Sequence, residues 1–227
     1  MDRWETLSVT PEGGIVENLS PLVQGASLPG SLIDARNFEP SPIGGYRRIK
    51  GYQKFDTAVV PGTGQVDAVF MFQDKCLALR DKKWYVSTGS GWGSSLITLT
   101  NAPVSVQSTR YNWSGTDNII IVDGANPPIH YDGSTLTSMI ATNIVNGVTI
   151  PSTTADNIFA ATAVQEFHEH MFFSVGQAIR FSAPNEESTV TGSSGSGEFF
   201  TGSKITGLAP WREQLFLFAY DRIGTIA

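Results

Sequence analysis

Two stretches decide the fold: Ala163-Val164-Gln165-Glu166-Phe167-His168-Glu169-His170-Met171-Phe172-Phe173 and, 44 residues on, Gly207-Leu208-Ala209-Pro210-Trp211-Arg212-Glu213-Gln214-Leu215-Phe216-Leu217. Laid over one another they match in kind more than in identity. Phe167 falls on Trp211, Glu169 on Glu213, Met171 on Leu215 and Phe172 on Phe216, with Ile179 on Ile223 further along. An earlier copy lies 95 residues upstream, about two periods, at Ala68-Val69, Phe72, Asp74, Cys76-Leu77 and Trp84. A fourth, less regular copy places Trp113 before the run Ile119-Ile120-Ile121-Val122. The markers Leu77, Ile120, Phe172 and Phe216 are then spaced 43, 52 and 44 residues apart. A period in the forties built of short strands is the signature of a β-propeller, each blade being about four antiparallel strands. One blade cannot bury both faces of so small a sheet, so blades must stack, and the aromatic ahead of each apolar strand is expected between them.

The local patterns agree with an all-β chain of propeller-like blades. Val66–Phe72, Lys75–Arg80 and Lys83–Ser87 read as strands, with Gln73-Asp74 and Asp81-Lys82 as turns. Asn118–Val122 is a bare apolar run closed by Asp123-Gly124, which predicts a strand buried on both faces. Leu215–Tyr220 repeats the pattern. Ala160, Ala161, Val164, Phe167, His168 and Met171 also fit a helical period after Thr154 or Asp156, but the matched copy carries Pro210, which a helix interior resists, so strand is expected. Residues 186–204, centred on a Gly- and Ser-rich run, are expected to form a long inter-blade loop. Ile223–Ala227 ends the sequence inside a strand, so the count stops at four blades and the last is expected to be unfinished, through truncation or closure by another chain.

Composition bounds the rest. Of 227 residues, 23 are Gly and 12 Pro, 41% are apolar and 16% charged, too hydrophobic and too weakly charged for disorder. No apolar run reaches the ~18 residues of a membrane span, and no membrane anchor is expected. Cys76 is alone and has no internal disulfide partner. The N-terminus lacks the pattern of a secretory signal, so the Asn18 and Asn112 sequons are read as chance and the origin as reduced and non-exported. Residues 1–64, punctuated by Pro and Gly and without periodicity, read as an extended N-terminal arm or docking segment, and residues 65–227 as about four blades. The net charge of -6 is uneven. Arg36, Arg47, Arg48, Lys50 and Lys54 stand against Glu39 alone within residues 36–54, whereas from residue 57 onward 9 Lys or Arg face 14 Asp or Glu. A basic strip in an acidic protein reads either as a contact surface for an acidic neighbour or as a solvated loop.

Candidate chemistry is thin. Glu166, His168 and His170 would fall on one side of a strand as metal ligands, yet their matched copies are polar hairpin tips, and the other histidine, His130, is distant in sequence. Asp123, Asn126 and Asp132 lack the alternation of a calcium loop and fit Asp-Gly turns. No nucleophile or phosphate-binding motif is found, and Cys76 sits in a β run as a buried thiol. Neither enzymatic activity, nor a metal, nor a cofactor is expected. Among the aromatics, Trp92 within Gly-Ser-Gly-Trp-Gly-Ser is expected to be exposed and is the candidate glycan contact.

The arm Pro11–Asn18, followed by Leu32–Pro40 and Gly44–Tyr52, resembles the N-terminus of tail proteins of short-tailed bacteriophages. Gly124–Gly133, Arg180–Pro184 and Ile205–Leu208 leading into Leu215–Tyr220 are similar as well, so the resemblance covers most of the chain. It implies a structural virion protein: a homo-oligomeric, typically hexameric nozzle or hub ring below the portal and adaptor, located in the phage tail and made in the host cytoplasm. Such a ring forms the channel for genome retention and ejection. Double-stranded DNA would pass through it without specific binding, which an acidic lining favours. The partners implied are the adaptor, portal-proximal and other tail proteins. Arg36, Arg47, Arg48 and Lys50 would then be charge contacts, with Tyr46 and Tyr52 as anchors. Family members are usually longer, with extra blades and a platform domain. Two further readings stay open: a glycan- or receptor-binding tail propeller, and a propeller-fold hydrolase or lyase.

Overall fold

The computed structural model describes residues 15, 31–32, 36–40, 46–49, 51, 53–139, 142–145, 148–151, 158–190 and 195–227. Every regular element among them is a strand, and every named sheet is antiparallel. The chain divides into two units, Met1–Lys54 and Phe55–Ala227.

In the first unit, β1 (Phe38–Pro40) pairs with β2 (Tyr46–Arg48), and Ile15 and Leu32 form an isolated bridge. The second unit opens with sheet 1: β3 (Val66–Phe72), β4 (Lys75–Arg80), β5 (Lys83–Ser87) and β6 (Ile97–Thr98). Sheet 2 follows with β7 (Gln107–Tyr111), β8 (Asn118–Val122), β9 (Ile129–Tyr131) and β10 (Leu136–Ser138). β11 (Thr142–Val145) and β12 (Val148–Pro151) make a separate hairpin that the periodicity did not announce. Sheet 3 contains β13 (Ala163–Phe167), β14 (His170–Val175), β15 (Ala178–Phe181) and β16 (Gly197–Phe200). Sheet 4 contains β17 (Ile205–Trp211), β18 (Gln214–Ala219) and β19 (Ile223–Ile226). In each, strands pair in sequence order, as in the blades of a propeller.

The register explains the repeat. Phe72 pairs with Lys75, Tyr111 with Asn118, Phe167 with His170 and Trp211 with Gln214, each at the mouth of the first hairpin of its sheet. The markers Leu77, Ile120, Phe172 and Phe216 each lie two residues beyond that mouth and are structurally equivalent. The aromatic of the second sheet is therefore Tyr111 and not Trp113. The connection of residues 112–117 is longer than the two-residue tips of the other sheets, and Trp113 sits in it, its ring 4.6 Å from that of Tyr111.

Three apolar layers join the four sheets. Phe72, Leu77, Leu79 and Trp84 pack on Ile119, Ile121, Ile129 and Tyr131. Tyr111, Ile120 and Val122 pack on Val164, Met171 and Phe173, and Phe167, Phe172 and Ile179 on Leu215 and Leu217. All five residues of β8 are buried, since it feeds two of these layers at once. The indole Nε1 of Trp84 is buried without a partner, costing about 1–3 kcal/mol against the burial of a large ring.

Polar groups close the corners. Asp123 and Asn126 are buried; Asp123 accepts from the N–H of Ala125 and of Asn126 at 2.8 Å and from the Asn126 amide at 2.7 Å. Asn126 in turn clamps Asn101, accepting from its N–H at 2.9 Å and donating to its carbonyl at 3.0 Å. Residues 186–204 are not a single inter-blade loop: Gly197–Phe200 within them is β16, paired with Ala178–Phe181 inside sheet 3, and only residues 201–204 lead on to sheet 4.

Candidate functional site

The basic strip forms the β1–β2 hairpin. Phe38 faces Arg48 and Glu39 faces Arg47, and the Arg47 Nε donates to Glu39 Oε1 at 2.7 Å. The Ile49 N–H continues the ladder to the Asn37 carbonyl at 2.8 Å, with Asn37 at positive φ. Residues directly opposite in a ladder share a face, and residues two apart in a strand do too. One face of the hairpin thus carries Phe38, Arg48 and the half-buried Tyr46, while the other carries the Glu39–Arg47 pair. Arg47 spends its charge inside the hairpin, an exposed pair worth roughly 0.2–1 kcal/mol. Arg48 is exposed beside Phe38, itself 51% exposed, and Arg36 is exposed as well. Lys50 and Tyr52 lie outside the described residues. Phe38 is the residue the sequence reading missed; only the pairing sets it beside Arg48.

Trp92 is not an exposed platform. It is half-buried, bridges to Ser87, and donates its indole N–H to the Ala58 carbonyl at 3.0 Å. The flanking glycines that made it look solvent-facing let this turn fold back: Gly91, at φ +119, donates its N–H to Asp56 at 2.9 Å. The same carboxylate accepts from the Ser87 hydroxyl and from the Ala58 N–H at 2.8 Å, and these bonds, Ser87 first, hold it below its usual pKa. Further along, Asp81 accepts from the N–H of Thr63 at 2.6 Å and of Gly64 at 2.9 Å, while Arg80 donates to the carbonyls of Gly64 and Val60. Residues 56–64 are thereby strapped to sheet 1, and the break between units falls at Lys54 and Phe55, upstream of the expected 64/65 boundary.

The histidines part company. His168 and Glu169, both at positive φ, form the two-residue tip of the β13–β14 hairpin, which interrupts strand alternation. His168 stacks on Phe167 at 4.0 Å and lies 3.6 Å from Glu213 of the neighbouring tip; His170 turns to the Ser182 carbonyl at 2.6 Å. Glu166 accepts instead from Trp113 and from the Glu169 N–H. No group of three potential metal ligands occurs among the described residues. Asp132 caps its own Asp-Gly turn, accepting from the N–H and hydroxyl of both Thr135 and Ser134, which hold its carboxyl well below the usual range. Burial, and then the charge of Asp56, push the Cys76 thiol up and away from thiolate.

No protein-family model and no curated protein matches the chain. A solved structure does. The chain is similar to the crystal structure of the computationally designed Ika4 protein, with 9% identity and a TM-score of 0.50, over 78% of this chain and 98% of that one. At that identity the likeness speaks for the fold alone, and it agrees with the stacked antiparallel sheets.

The aromatics that do reach solvent lie elsewhere. Trp211 and Phe216 line a groove of about 440 Å³ together with Arg212, Glu213 and Gln214, and the Arg212 guanidinium sits 5.7 Å from the Trp211 ring centre. No distinct residue pattern flags Trp211; its position equals that of the buried Phe72 and Phe167.

Proposed function

We propose that this protein is a structural component of the tail of a short-tailed bacteriophage, a subunit of the nozzle or hub ring below the portal and adaptor. The observation that carries the reading is the β1–β2 hairpin, which gathers Phe38, Tyr46 and Arg48 on one face of the arm that resembles this family, ahead of a stack of propeller-like sheets. An apolar anchor ringed by a cation is the composition of a protein–protein contact. The hairpin docks on the adaptor or an adjacent subunit, and the acidic bulk after residue 57 lines or flanks a path along which DNA phosphates slide without adhering. Electron microscopy of intact particles tests this: a sixfold ring at the tail containing this chain is expected. In the same system Phe38→Ala with Arg48→Glu is expected to block tail assembly while the isolated protein keeps its melting temperature. Particles that assemble normally with that double variant would remove the hairpin from the docking role.

A further inference from the structure

Sheet 1 has two faces. Leu77 and Leu79 turn from one of them toward sheet 2, while Cys76, Ala78 and Arg80 share the other, with Ser87, Tyr85 and Lys83 opposite them in the ladder. Among the described residues this second face belongs to none of the three apolar layers, yet Ala78 is fully buried and Tyr85 and Ser87 nearly so. Residues 55–64 cross it as a strap, fastened at both ends of the row. At the Ser87 end, Asp56 accepts from the Ser87 hydroxyl and from the Gly91 N–H at 2.9 Å, and the Trp92 indole donates to the Ala58 carbonyl at 3.0 Å. At the Arg80 end, the guanidinium donates to the Val60 and Gly64 carbonyls at 2.5 and 2.6 Å, and Asp81 accepts from the N–H groups of Thr63 and Gly64. The turn after β5 is shaped to the strap: Gly89, at φ +91, comes so near that a Cβ there would lie 3.2 Å from the Phe55 carbonyl.

The hold is polar throughout. Each sheet-to-sheet layer seats large apolar side chains from both sides, whereas the strap seats none. Asp56 and Val60 are half-buried, every other residue from 55 to 64 is exposed, and Val59 reaches 77%. Hydrogen bonds at a wet surface are exchanged for bonds to water at small net cost, while parting two sheets would expose their whole apolar contact. We infer that the strap is a releasable cover, clasped to sheet 1 at Asp56, that lifts while the four sheets remain folded. Local opening of this kind draws on segments with few buried apolar contacts. The strap passes at Phe55 into the first unit, so tension on the arm reaches the Asp56 clasp before it reaches any sheet. The clasp thereby couples what holds the arm to what sheet 1 displays. The inference rests on the strap alone and stands whatever the arm binds.

Cys76, the sole cysteine, pairs with Ser87 under the strap and reports its opening. The probe is an aromatic disulfide, dithiobis(nitrobenzoate), added to the full chain in native buffer, and the rate of thiol labelling is read. Wild type is expected to label at least about tenfold faster than it unfolds globally, as extrapolated from urea kinetics. Asp56→Ala should raise the rate by about ten- to hundredfold, the worth of bonds to a charged acceptor. Because the Asp56 charge, after burial, also holds the Cys76 thiol up, the charge-neutral change Trp92→Phe is the second arm, with an expected gain of about two- to tenfold. Leu217→Ala, which weakens the layer between sheets 3 and 4, should leave the rate unchanged. A wild-type rate no faster than global unfolding overturns the inference, as does Leu217→Ala raising the rate as much as Asp56→Ala, since Cys76 is then reached only when the sheets come apart. An Asp56→Ala rate equal to wild type overturns it as well. So does Trp92→Phe at the wild-type rate, for any gain in Asp56→Ala is then an effect of charge on the thiol.

Discussion

Ile179 and Ile223 occupy the same position of successive repeats, 44 residues apart, and differ only in what lies over them. Ile179 is fully buried between sheets 3 and 4, while Ile223 is exposed. Truncating Ile179 to Ala removes three buried carbons, about 2.4 kcal/mol at ~0.8 kcal/mol each, and the unfilled cavity raises the loss to about 3–4 kcal/mol. With a urea dependence of ~2–3 kcal/mol/M, that moves the unfolding midpoint down by about 1–2 M. Ile223→Ala leaves no cavity and should stay within ~0.5 kcal/mol, a shift near the error of the midpoint. The assay is a pair of urea titrations followed by tryptophan fluorescence. Equal losses in the two variants would refute the assignment of faces.

Other outcomes follow from the polar corners. Asp123→Ala strands the Ala125 and Asn126 N–H groups and frees the Asn126 amide that holds Asn101, so a loss of about 2–4 kcal/mol is expected in thermal melts. Asp132 has a folded pKa depressed below the ordinary 3.8, so its contribution to stability is complete above that value and is lost as pH falls below it. Asp132→Asn should therefore be less stable than wild type at neutral pH, where the contribution is complete, and converge with it as pH falls below about 4, flattening the acid limb of the stability-versus-pH curve; an unaltered acid limb would contradict the assigned turn.

Much of sheet 1 was legible to the residue. β3, β4 and β5 begin and end where alternation and turn residues place them, because the two-residue turns between them fix the register, which shifts only at the far end of β3 between Val66 and Ala68. β8 was legible for the opposite reason, its unbroken Ile-Ile-Ile-Val run fitting only a strand covered on both sides. The failures share a cause, pairing that composition does not encode. Gly197–Phe200 lies in a Gly- and Ser-rich context and becomes a strand only because Ala178–Phe181 offers a free edge. Trp113 looked like the repeat aromatic because a longer hairpin connection displaced the true one, Tyr111, along the sequence. Trp92 looked exposed because its partner, the Ala58 carbonyl, is 34 residues away. At the candidate docking hairpin the basic strip was visible as charge, but the division of labour between Arg47 and Arg48 required the Glu39 and Phe38 partners to be known.

The equivalence of Phe72, Tyr111, Phe167 and Trp211 at the hairpin mouths has a genetic corollary. An in-frame duplication taken between two successive points, which lie 39, 56 and 44 residues apart, inserts the strands of one sheet in the order and register of the others, and a deletion of the same span removes them. A gene of this design can change the length of its product in steps of one sheet, each new junction being of the kind the chain already makes.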